Sequence, residues 1–185
     1  MEFTPKENTT NPLDVPFFHE ATAEGGWAGQ GTGQTIRTLR SQITQAMTRL
    51  GATITVFQEG TFGDGGEKPR DGFMVHYTYN GVQGSIKIAA LPVKKPDRIN
   101  AKTRAGYATR KKKAMKMALY MFRDYLRGAW YAQQLSPGYL PLIPWMLSPD
   151  TGLTVSETFQ NGPLALPEPD GNFTQFLDAE WKENE

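Results

Sequence analysis

GFMVHYTYNGVQGSIKIA (Gly72–Ala89) decides the fold. Asn80-Gly81 is the preferred pair for a tight two-residue turn with both residues in the left-handed region. Period-two runs flank it on both sides. Pairing across that turn sets Tyr79 opposite Val82, Tyr77 opposite Gly84, Val75 opposite Ile86 and Phe73 opposite Ile88. Opposed residues share a face, so this register makes one face apolar throughout. The other face receives Thr78 with Gln83, His76 with Ser85 and Met74 with Lys87. Turn chemistry and hydrophobic pattern therefore specify the same β-hairpin.

An apolar hairpin face needs a cover, and the flanking sequence supplies it. Ile36, Leu39, Ile43, Ala46, Met47 and Leu50 recur at three- and four-residue spacing, the stripe of an amphipathic helix. Thr32 or Thr35 is placed to cap its start and Gly51 to end it, with Arg37, Arg40 and Arg49 on the outer face. ATITVFQ (Ala52–Gln58) is a β-branched strand, and Glu59–Asp71 is a Gly- and Asp-containing loop. A second helix is expected from Thr109 to Leu135. Its buried stripe comprises Met115, Ala118, Leu119, Phe122, Tyr125, Leu126, Ala129 and Trp130, opposite a polar side of Lys112, Lys116, Tyr120, Arg123 and Arg127.

Beyond the second helix, the prolines of Tyr139–Leu147 exclude a regular helix and point to an extended strap. Ser148–Gly152 is a turn, and LTVSETF (Leu153–Phe159) is expected to be a short edge strand. The order helix–strand–strand–strand–helix is a two-layer α+β domain, an antiparallel sheet with two helices on one face. It is expected over residues 34–159, with a flexible acidic leader at 1–33 and an acidic, aromatic-containing tail at 160–185. Phe17-Phe18 and Trp27 are the leader's large apolar groups and are expected to pack back on the domain.

The charge distribution points to function. Lys94–Arg127 holds 12 basic residues against Asp97 and Asp124, whereas the whole chain has a net charge of only +1. The balancing acids concentrate in the two ends: five in Met1–Gly33 and eight in Asp150–Glu185. A basic centre between acidic ends is the electrostatic pattern of a phosphate binder with self-screening tails. With no cysteine there is no disulfide and no Cys-ligated zinc, and the two histidines, His19 and His76, lie in unlike contexts. No cofactor or metal is implied. No apolar run approaches the ~20 residues of a membrane helix, and MEFTPKENTTNPLD lacks the charged and apolar regions of a signal peptide. The expectation is a cytoplasmic protein with no membrane partner.

The residues expected to contact phosphates are Lys94, Lys95, Arg98, Lys102 and Arg104 in the loop before the second helix. Arg110, Lys111, Lys112, Lys113, Lys116, Tyr120, Arg123 and Arg127 on the helix complete the set. TRKKKAMK at a helix start would add backbone N–H groups and the helix dipole to the anion site. This layout is similar to the double-stranded RNA-binding domain, in which a K-K-x-A-K-x-x-A run at the second helix grips phosphates across the major groove. Lys111, Lys112, Ala114 and Ala118 match that run. Met115 stands where the third lysine belongs, with Lys116 one place on, and the family's Gly-Pro-x-His loop is absent. The resemblance implies phosphate contacts from Lys111 and Lys112.

Other features have weaker claims. The outward sheet face offers no aromatic ring for base stacking. The tail interleaves Phe173, Phe176, Leu177 and Trp181 with carboxylates, and it resembles the acidic tails of phage and bacterial single-stranded-DNA-binding proteins, which occlude the basic groove and recruit partners. Glu59, Asp64, Glu67 and Asp71 share a loop, the one grouping that would suit a metal-dependent nuclease. His76 beside Ser85 lacks a third group to orient it, so no catalytic residue is assigned. The reading is a non-enzymatic accessory protein of phage or mobile-element type. It would bind DNA or RNA with low sequence specificity, modulated by its acidic tail. The alternative is a protein–protein adaptor or inhibitor using the basic helix and the Pro-rich strap. Its partner contacts would be Leu142, Trp145, Phe176 and Trp181.

Overall fold

The structure, a computed structural model, describes residues 15–63, 70–98, 100–136 and 138–161. Its elements are α1 (Ile36–Arg49), β1 (Ala52–Phe62), β2 (Arg70–Tyr79), β3 (Val82–Ala89), α2 (Ala101–Leu135), a 3₁₀ turn (Ile143–Trp145) and α3 (Val155–Asn161). The fold is α+β, with a three-stranded antiparallel sheet in the order β1-β2-β3. The hairpin register is the one the sequence specifies, from Tyr79↔Val82 to Phe73↔Ile88. Asn80 (φ 48°) and Gly81 (φ 80°) both adopt the left-handed conformation that the turn requires.

Phe73, Val75, Tyr77, Ile86 and Ile88 form the sheet's share of the core, joined by Leu39, Ile43 and Met47 of α1 and Met117, Leu119 and Leu126 of α2. α1 and α2 pack against each other, α1 also meeting β1, and α2 meeting β2 and β3. Thr35 caps α1 by accepting from the Thr38 N–H at 3.1 Å, and Gly51 (φ 86°) turns the chain out of it. Arg40, expected on the outer face of α1, instead reaches back to β1. It donates to the Phe57 carbonyl at 2.7 Å and lies 4.5 Å from the ring centroid.

Four expectations are corrected. β1 runs on through Glu59 and Gly60 to Phe62, because β2 begins at Arg70 and keeps it paired through Phe62↔Arg70. α2 begins at Ala101, not Thr109. Asn100 and Thr103 form a reciprocal capping box there, with bonds of 2.9 and 2.8 Å. LTVSETF is not an edge strand: from Val155 it is helix α3, opened by a second capping box. Thr154 Oγ1 accepts from the Glu157 N–H, while the Glu157 carboxylate accepts from the Thr154 N–H. The described part of the leader, residues 15–33, is not free of the domain: Phe18 and Ala21 are buried, Trp27 packs on the core as expected, and the Phe18 N–H donates to the Pro92 carbonyl.

The strap crosses β3 only briefly. Gly84 bridges Met146, Leu147 bridges Thr154, and the Tyr77 hydroxyl donates to the Leu142 carbonyl at 3.0 Å. Burial pushes the Tyr77 phenol well above its ordinary pKa, keeping it a neutral donor. α3 is moored by an ion pair between Glu157 and Lys87. The hydrogen bond from Lys87, then those from the Thr154 N–H and hydroxyl, hold the Glu157 carboxyl down at about 2. Its proton is therefore bound more tightly in the unfolded chain, near the usual 4.5, so its stabilisation is full above that pH and lost as pH falls towards 2. The thermal midpoint is expected to decline across that window in the wild type and less in Glu157→Gln. Equal declines in the two proteins would contradict the assignment.

Candidate functional site

α2 is longer than the core it covers. None of its first residues, Ala101 to Lys113, is buried, and Ala114 is the first that is. At 1.5 Å per residue this makes a helical arm of about 20 Å. A stretch with no core stripe would be a marginal helix alone. Here the capping box starts it, the packed half of α2 continues it, and Tyr107 and Lys111 brace it from one side.

The arm carries the charge. Lys102, Thr109, Lys113 and Lys116 follow at steps of seven, four and three, which places them on one helix face. Arg110 and Lys112 flank that row. Lys94, Lys95 and Arg98 extend it into the preceding loop, where Lys94, Lys95 and Arg110 line a cleft of about 410 Å³ with Phe18 and His19. Lys94, Lys95, Arg98, Lys102, Arg104, Arg110, Lys112 and Lys113 are exposed, and among the described residues none of these eight has an ion-pair partner.

The other expected contacts are already engaged. Lys111 is paired with Asp71 at 2.7 Å, and that carboxylate holds the ammonium above its usual pKa against partial burial. Lys116 donates to the Thr32 carbonyl at 2.9 Å, tying α2 to the leader. Arg127 lies 3.7 Å from Asp124 but remains exposed.

Arg123 is corrected outright. It is 4% exposed, bonded to Asp124, Gln34 and Gln42, and stacked over Tyr120 at 4.1 Å. The polar side of α2 faces solvent along the arm and again at Arg127, but not between them. Over Lys116–Arg123, α1 and the leader cover it, so Arg123 and Tyr120 serve packing. Tyr120 also lies against Gly29, where a Cβ would strike its ring.

The TRKKKAMK run lies well inside α2, so its backbone N–H groups are spent within the helix and the expected dipole contribution does not arise. Of the expected partner contacts, Leu142 is corrected: it is 1% exposed and part of the core. Trp145 is half-buried, edge-on to Phe122 and Tyr125. Phe176 and Trp181 lie outside the described residues. Among the described residues no group of three or more His, Asp or Glu could hold a metal ion, and Asp71 of the expected acidic loop is the partner of Lys111. Asp64 and Glu67 lie outside the described residues. The Ser85 hydroxyl bonds the Met74 sulfur at 3.2 Å, not His76. No described helix is long and apolar enough to cross a membrane.

No protein-family model matches the chain, and no curated protein and no solved structure matches it. The functional reading therefore rests on the site itself.

Proposed function

We propose that the protein binds nucleic acid through its phosphates, along the projecting arm of α2 and the Lys94–Arg98 loop. The carrying observation is a set of eight exposed cations, five on the stretch of α2 that has no buried residue and three in the loop before it, none with an ion-pair partner among the described residues. Holding like charges together costs free energy, and an anionic polymer relieves it with release of its counterions. The arm from Ala101 to Lys113 contains no Asn or Gln and so lacks the bidentate readers of adenine. Recognition is of backbone charge, with low sequence specificity. The adaptor alternative keeps the basic arm but loses Leu142 as a contact.

The test is fluorescence-anisotropy titration of the full chain with labelled oligonucleotides of unrelated sequence over a salt series. The expected result is similar affinity for each sequence and log K falling linearly with log salt. With all eight cations engaged on duplex DNA the slope would reach about −7. Salt-independent binding, or none at low salt, would overturn the proposal.

A further inference from the structure

Away from the arm, an apolar groove of about 350 Å³ opens between the outer edge of β3 and α2. Its floor is Ile86 and Ile88, its helix wall includes Met117, Met121 and Phe122, and Trp27 and Trp145 also line it. The strap pairs with β3 only at its start, since the 3₁₀ turn at Ile143–Trp145 carries the chain away from the edge. Leu147 takes the Gln83 carbonyl, which marks the odd-numbered residues of β3 as the ones whose backbone groups face outward. Lys87 belongs to that set, and its backbone N–H and C=O have no hydrogen-bond partner among the described residues. The open backbone is short, bounded by the strap at Gln83 and by Arg70, which donates to the Ala89 carbonyl at 3.3 Å, but open edge backbone beside an apolar trough is the arrangement that receives an added segment of chain.

We propose that the occupant is the chain's own C-terminal segment, Phe173–Trp181. This goes beyond the nucleic-acid reading and does not depend on it. Glu157 anchors α3 to Lys87 at this same edge, and the described chain ends one helical turn later at Asn161. Eleven residues, 162–172, separate that point from Phe173. Fully extended they reach at most about 40 Å, and as a coil about 18 Å, which gives an effective concentration near the millimolar range. Phe173, Phe176, Leu177 and Trp181 are the large apolar residues that such a trough takes up. Charge holds the segment near the domain without selecting the groove, whose one lining cation, Lys87, is paired with Glu157: residues 15–161 hold 18 basic and 10 acidic side chains, whereas residues 162–185 hold one and six.

The chain has no cysteine, so Asn184→Cys provides a single site for a nitroxide on the full chain. With methyl-labelled methionines, the Met117 and Met121 resonances are expected to lose intensity relative to Met47, which lies in α1. That loss should disappear when Phe176→Ala and Trp181→Ala are added. It should also be absent when spin-labelled chain without methyl label is mixed with methyl-labelled chain without spin label. Equal intensities for all three methionines would overturn the proposal. So would selective loss in the mixed sample, which would place a second copy's tail in the groove. None of these outcomes bears on oligonucleotide affinity, so the two proposals fail separately.

Discussion

Replacing Lys102, Lys112 and Lys113 together by glutamine is expected to weaken oligonucleotide binding on the order of a hundredfold at 0.1 M salt and to lower the salt slope by about 3. The reasoning is local. Each ammonium is exposed, none has an ion-pair partner among the described residues, and each sits on the stretch of α2 that has no buried residue. Removing them therefore costs the fold little, within about 0.5 kcal/mol each. Lys116 and Arg123 are excluded from the set because they hold the leader and α1 in place. Lys87→Gln is the matched control, a lysine lost from the edge of the sheet, and it should leave affinity nearly unchanged. A triple variant that unfolds, or one that binds like the wild type, would contradict the assignment of the arm.

Gly84→Ala should have the largest effect on stability. Gly84 lies opposite Tyr77 in the hairpin, and a Cβ there would collide with the Tyr77 ring carbon and hydroxyl oxygen. That ring cannot swing aside, because Tyr77 is 1% exposed and its hydroxyl is bonded to the Leu142 carbonyl. Gly84 also bridges the strap at Met146, so the strain falls on both contacts that pin the strap to the sheet. Overpacking at such a site costs about 3 kcal/mol. A domain of this size loses roughly 2–4 °C per kcal/mol, so the thermal midpoint should fall by about 6–12 °C. Tyr77→Phe with Gly84→Ala should recover little, since the ring itself blocks the new methyl. Scanning calorimetry of the single variant decides it, and an unchanged midpoint would contradict this packing.

The hairpin was legible because two independent signals, Asn80-Gly81 and the alternation on either side, specify one register. α1 was legible because its stripe is buried from Leu39 to Leu50, with Ile36 packed at its edge. The start of α2 was not, and the reason lies in its role: an arm that covers no core carries no apolar periodicity. The signal that does mark it is the Asn100-x-x-Thr103 cap. The same kind of signal, Thr154-x-x-Glu157, announces α3 inside a β-branched stretch that reads as a strand. Exposure of the arm followed from its charge alone, since so many cations seldom share a buried face. Arg123 misled because it continues the lysine stripe in helical spacing while α1 closes over that part of α2. The groove beside β3 had no signature, being assembled from Trp27, β3, α2 and the strap.

The most direct test of the arm as a phosphate-binding surface is a lysine footprint. Full-length protein is acylated at limiting reagent, with and without a saturating duplex or single-stranded oligonucleotide, and each lysine is read by mass spectrometry. Protection of Lys94, Lys95, Lys102, Lys112 and Lys113, with Lys87 unchanged, is the outcome expected of phosphates lying along the arm. Equal reactivity at these five lysines with and without oligonucleotide would contradict it.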